Sequence, residues 1–95
     1  MVEVIRSFKH AGLERFFKTS SKAGIQPSHA KKLRVLLTAL DAASNPLEMN
    51  GPGWGFHALS GSLKGHWAVS VNGNWRLTFT FTGEDAEVVD YRDYH

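Results

Sequence analysis

The chain contains no cysteine, so it forms no disulfide and offers no thiolate to a metal ion. It also lacks any apolar run near the ~18 residues that a membrane span needs, and it lacks a signal-like hydrophobic segment. These absences lead us to expect a cytoplasmic protein with no membrane partner. Proline is scarce, with 3 in 95 residues, and each marks a break in an otherwise periodic pattern. Neither sign of charge dominates: 11 Lys+Arg stand against 9 Asp+Glu, for a formal net charge of +2. Internal repeats and low-complexity segments are missing as well. A chain of this length supports one domain, read as residues 1–95, with a thin core that buries about 60–65% of the unfolded surface.

What is present is unevenly placed. Arg6, Lys9, Arg15, Lys18, Lys22, Lys31, Lys32 and Arg34 crowd the first third, while Glu48, Glu84, Asp85, Glu87, Asp90 and Asp93 fall in the second half. A basic amino-terminal part suits a polyanionic or acidic partner, although solvated helix faces account equally well for any single lysine. Residues 2–8, rich in β-branched side chains, predict a first strand. From Lys9 to Ser20, Leu13, Phe16 and Phe17 recur at helical spacing, with Gly24 as the expected stop. Pro27 opens a stronger helix in which Leu33, Leu36, Leu37 and Leu40 share one face, closed at Asn45-Pro46. Residues 46–55 read as a mobile loop bordering a site. Beyond them, Trp67, Val69 and Val71 alternate with smaller residues. Asn72-Gly73-Asn74 signals a hairpin, and Trp75, Leu77, Phe79 and Phe81 alternate with Arg76, Thr78, Thr80 and Thr82. A further strand runs from Ala86 to Arg92. The expectation is an α+β domain: two amino-terminal helices cover the aromatic face of a twisted antiparallel sheet. The face bearing Ser70, Arg76, Thr78 and Thr80 stays wet.

Several residues can carry chemistry. Asp93, Tyr94 and His95 place a carboxylate, a phenol and an imidazole at the end of the chain, where an ordinary frayed tail is the plain alternative. Arg76 lies mid-strand, and its guanidinium fits either a phosphate or a salt bridge to Glu87 or Asp90. His57 follows the glycine-rich loop, where a surface histidine is the plain reading. His66 has the same plain reading, and His10 and His29, placed on the predicted helices, receive no role. The histidines lack helical ligand spacing and a cysteine partner, so no metal or other cofactor is expected.

Taken in order, Phe56-His57-Ala58-Leu59-Ser60-Gly61, Gly65-His66-Trp67-Ala68-Val69, Asn74-Trp75-Arg76-Leu77-Thr78-Phe79 and Asp90-Tyr91-Arg92-Asp93-Tyr94-His95 resemble the HigB branch of the RelE/ParE toxin superfamily. Ile5-Arg6-Ser7-Phe8 before a helix is similar to that branch too, so the resemblance covers nearly the whole chain. It implies a RelE-like fold and the toxin role in a type II toxin–antitoxin system. It further implies endonucleolytic cleavage of mRNA in the ribosomal A site, and neutralisation by a HigA-type helix-turn-helix antitoxin, through which alone operator DNA would be met. By matching position, His57, Arg76, Asp93, Tyr94 and His95 form the implied catalytic set. One departure stands out. The branch often carries proline and lysine where this chain has Ala58 and Ser60, so the phosphate contact is missing or falls to another residue such as Lys64.

Metal-free cleavage of RNA uses the 2′-hydroxyl as nucleophile, and therefore asks for a base, a cation on the phosphate and an acid for the leaving 5′-oxygen. Imidazoles at His57 and His95 suit the base and the acid. Asp93 would orient an imidazole or act as base, Arg76 would hold the phosphate, and Tyr94 would stack a base or position the scissile group. Which residue is base and which is acid stays open at this point. The competing readings are a ParE-like inhibitor of DNA gyrase, which needs no acid–base set, and a non-catalytic RNA-binding or regulatory module.

Overall fold

The computed structural model describes residues 5–93. Local signals account for both helices. Helix α1 (Ala11–Thr19) starts where His10, in extended conformation, accepts the Leu13 N–H on Nδ1 at 2.9 Å, an imidazole doing the work usually done by Ser or Asp. Leu13 and Phe16 point inward. The helix closes at Ser20, which takes a left-handed φ of 64° and returns its N–H to the Phe16 carbonyl at 2.8 Å. The stop therefore comes earlier than Gly24. That glycine serves a different purpose: a Cβ on it would lie 2.4 Å from the Cα of Gly12.

A 3-10 turn at Pro27–His29 leads into helix α2 (Ala30–Ala42), whose Leu33, Leu36, Leu37 and Leu40 are at most 1% exposed. Pro46 opens another 3-10 turn, Pro46–Met49, and Met49 is fully buried. The first part of the loop expected to be mobile is thus tied into the core by an apolar side chain.

Four strands follow: β1 (His57–Ala58), β2 (Trp67–Asn72), β3 (Trp75–Thr82) and β4 (Asp85–Asp93), antiparallel in the order β1-β2-β3-β4. The turn between β2 and β3 places Gly73 at φ 55°, a value that glycine adopts without a steric penalty. The expected first strand is not regular over its described part. Ile5 and Phe8 make isolated parallel bridges to Ala86 and Val89, along the free edge of β4. The cause is a bulge in β4: Val88 adopts φ 53°, the register shifts between Thr78 and Thr80, and the Val88 N–H turns outward to Ser7 Oγ at 2.9 Å. A straight edge ladder cannot form across that kink.

The core lies between the helices and one face of the sheet, as expected. The α2 leucines pack with Val69, Leu77, Phe79, Val89 and Tyr91, while Trp67 and Phe81 close the margin as partly buried side chains. Each layer contributes one apolar face because strand and helix periods each bring like residues to one side. No described helix is long and apolar enough to cross a membrane.

Candidate active site on the open sheet face

Strand pairing determines which side chains share the face away from the helices. His57 pairs with Ala68, Ala68 with Thr78, and Thr78 with Asp90, so these four form one row across the sheet. The next row is Ser70, Arg76 and Arg92. Ala68 is fully buried yet stands apart from the main apolar cluster, and Thr78 is 2% exposed. This face therefore has a floor of small, covered residues, drier than the wet threonine surface expected. Strand spacing puts the backbones of His57 and Arg76, two strands and one row apart, roughly 12 Å from each other.

His57 is exposed at the sheet edge, and its Nδ1 lies 2.8 Å from the Gly55 carbonyl oxygen. A carbonyl only accepts, so Nδ1 carries a proton, and in the neutral form of the ring Nε2 is the bare nitrogen. The bond is local, and the strand beginning at His57 is held by its pairing with β2 and by the stacking of Phe56 on Trp67, with centroids 5.3 Å apart and planes 5° apart.

Arg76 makes neither of the salt bridges that the sequence left open. Its Nη1 donates to the carbonyls of Gly73 at 2.7 Å and Trp75 at 3.1 Å. No ion pair involves it among the described residues, and Nε and Nη2 stay uncommitted. Asp90 belongs instead to its own strand: Oδ1 accepts the Tyr91 N–H at 2.9 Å, and Oδ2 lies 3.8 Å from Arg92 Nε.

Asp93 pairs with Trp75, so strand alternation places it on the other side from Arg76 and Arg92, at the end of the sheet. The described structure brings Arg76 onto the face of His57 and does not bring Asp93 there. Tyr94 and His95 lie outside the described residues. Ser60 and Lys64 bracket the exposed 3-10 turn Gly61–Leu63 between β1 and β2, in the connection that follows His57. His66 ends that connection with its Nδ1 buried and without a hydrogen-bond partner among the described residues. A cavity of about 720 Å³ opens elsewhere, between the helices, lined by Phe16, Lys22, Lys31, Arg34 and Val35 among others. It contains none of the candidate catalytic residues.

Two histidines that received no role are structural. His29, 5% exposed, shares a 2.6 Å hydrogen bond with Tyr91 Oη, and His10 meets the Tyr91 ring edge-on at 5.4 Å. Trp75 stacks on the same ring at 4.5 Å. Burial raises the Tyr91 phenol above its ordinary pKa, and the Asp93 carboxylate adds to the rise. Arg92, directly opposite Arg76 on the same face, is a residue that sequence reasoning passed over; its signal was the in-phase alternation with Arg76 across the second hairpin.

Comparison with known proteins fits this geometry. The family of RelE-like toxins of type II toxin–antitoxin system HigB matches residues 6–95. The endoribonuclease HigB of Proteus vulgaris is 36% identical over 92 residues, covering 97% of this chain and 100% of that relative.

Proposed function

The chain belongs to the HigB-like family of RelE-type toxins of type II toxin–antitoxin systems, and on that premise we propose that it is an endoribonuclease cutting mRNA in the ribosomal A site. The observation that carries the reading is the setting of His57: Nδ1 is spent on Gly55, which leaves Nε2 as the nitrogen available to substrate on an exposed edge, on the same sheet face as Arg76, which makes no ion pair among the described residues. A neutral imidazole with one open nitrogen is the form that a general base needs near neutral pH.

In this reading, His57 Nε2 takes the proton of the 2′-hydroxyl, whose oxygen attacks the adjacent phosphorus. Arg76 holds the phosphate oxygens as negative charge builds on them. The bond from phosphorus to the 5′-oxygen breaks, an acid at the chain terminus protonates that oxygen, and a 2′,3′-cyclic phosphate remains. His95 is the proposed acid, with Tyr94 orienting the substrate, while Asp93, which faces the other side of the sheet, takes no direct part. Lys64, in the connection after Ser60, supplies further attraction for the RNA backbone.

Membership in the family carries an antitoxin partner with it. We assign that partner to the HigA helix-turn-helix type, with the ribosome as the second partner. The basic rim of Lys22, Lys31 and Arg34 around the groove between the helices supports an acidic protein surface as partner. The test is primer-extension mapping of an mRNA incubated with purified protein, with and without translating ribosomes, beside a gyrase supercoiling assay. Cuts that require ribosomes agree with the proposal. Gyrase inhibition without RNA cuts would transfer the chain to the ParE mode of action.

A further inference from the structure

The reaction outlined above leaves His66 unused, although the fold carries it onto the face of His57. The Leu59 N–H donates to the His66 carbonyl at 2.9 Å, which extends the pairing of His57 with Ala68 and of Ala58 with Trp67 by one further step. Side chains two apart on a strand share a face, so His66 stands on the side of Ala68 and therefore of His57. The two histidines are diagonal neighbours across β1 and β2, a relation that sets them about 7–8 Å apart. Their ring nitrogens are placed in opposite ways. His57 spends Nδ1 on the Gly55 carbonyl. His66 Nδ1 is buried without a partner among the described residues. A hydrogen there would be a buried donor with no acceptor, a state that folded proteins rarely keep, so the neutral ring carries its proton on Nε2. That second nitrogen is not one of the buried unpaired atoms and makes no hydrogen bond among the described residues, so it faces solvent. The face thus holds one imidazole that accepts at Nε2 and one that donates there.

The rows of the sheet give these groups an order. Arg76 lies one row from His57 in one direction, and His66 lies one row away in the other. With the scissile phosphate at Arg76 and the 2′-hydroxyl at His57, an RNA strand continuing in the same direction brings the rest of the attacking nucleotide to His66. A phosphate there is better matched by the cation of Lys64, exposed in the same connection. A neutral donor on a ring whose inner edge is buried suits a base, where the direction of one hydrogen bond carries selectivity. We propose that His66 is a specificity residue, donating Nε2–H to the base of the nucleotide whose 2′-hydroxyl His57 activates. The inference rests on the ribonuclease reading. One fixed donor pairs only with an acceptor on the base edge, and the position of that acceptor differs among the four bases.

The experiment uses the full chain and has two arms. In the first, cut sites are mapped on an mRNA carried by translating ribosomes, and cutting is compared between sites that differ in the base just 5′ of the cut. The wild-type preference at that position should shrink about 2- to 10-fold in His66→Leu, the worth of one hydrogen bond. His66→Gln, whose amide nitrogen reaches the place of Nε2, should keep most of the preference. His66→Asn, whose amide reaches only the place of Nδ1, should lose it, and this pair keeps the test valid if the leucine variant folds poorly. The second arm needs no cleavage. Imidazole nitrogen NMR should find the His66 proton on Nε2, and that signal should move with 2′-O-methyl oligoribonucleotides of a single base, more for some bases than for others. A proton on Nδ1 overturns the proposal, as does a signal that stays still with every probe or moves equally with all four. So does a wild-type preference that survives in His66→Leu, or an equal loss of cutting at all sites, since the ring is then only a strut for the connection. If ribosomes and protein together cut no RNA, the ribonuclease reading fails, and the second arm alone decides whether His66 reads a base.

Discussion

His29 and Tyr91, 62 residues apart in sequence, share a 2.6 Å hydrogen bond inside the core and so fasten the start of α2 to the last strand. The Gln26 N–H also points at the phenol oxygen, at 3.4 Å. The bond places its anchor two positions before Asp93, in the strand that leads to the proposed acid.

This pair makes alkaline stability a direct test. The folded-state pKa of Tyr91 is raised, mainly because burial disfavours the phenolate. A raised acid contributes stability that is complete below its unfolded pKa of about 10 and is lost as pH rises through the folded value. Ultraviolet titration of the 2 tyrosines should show one phenol ionising later than a free tyrosine. Tyr91→Phe should remove the loss of stability above about pH 10. At neutral pH it should cost about 1–3 kcal/mol, because His29 Nδ1 is left without a partner.

Val88 breaks a conformational rule that a substitution can restore. A β-branched residue at φ 53° carries a local cost of about 1–3 kcal/mol, and only the bulge and the bond to Ser7 hold it there. Its side chain is 39% exposed, so little apolar burial is at stake. Val88→Asn should raise stability by about 1 kcal/mol in chemical denaturation, since asparagine tolerates the left-handed region. A fall of that size would mean that the valine packs better than its exposure implies.

Gly12 gives the opposite sign from helix propensity. Alanine in place of a helical glycine would ordinarily stabilise, by up to about 1 kcal/mol. Here a Cβ would meet the backbone oxygen of Gly24 at 2.5 Å and its Cα at 2.7 Å. The connection after α1 would have to move away, so Gly12→Ala should lower stability by about 1–3 kcal/mol. Thermal unfolding of the variant decides it, and an increase in Tm would show that the two glycine backbones separate readily.

The readable parts of the fold were those governed by local periodicity. Leucines at helical spacing gave away α2, Asn72-Gly73 marked the hairpin, and the alternation of Trp75 to Phe81 assigned Arg76 to the open face. Other features depended on partners far along the chain. An imidazole cap at His10 lies outside the usual capping residues, and no local pattern announces the contact between His29 and Tyr91. The bulge at Val88 runs against the strand propensity of valine, yet it breaks the amino-terminal pairing into bridges. Within the site, the chemical types of His57 and Arg76 were legible. The tautomer of His57 was not, because it depends on the path of the backbone at Gly55. The facing of Asp93 needed the register of β3 and β4.

The central claim is that His57 and the terminal residues perform acid–base cleavage of RNA. Its most direct test is the single-turnover rate of mRNA cleavage on translating ribosomes, using amino-terminally tagged or untagged protein. Wild type is compared with His57→Gln, His95→Gln and the surface control Lys22→Gln. His57 is exposed and, among the described residues, its side chain bonds only to a neighbouring carbonyl, so its variant should melt near the wild-type temperature. The account predicts a rate loss of about 10²–10⁴ in each histidine variant and none in Lys22→Gln. Cleavage by His57→Gln within a few-fold of wild type would contradict it.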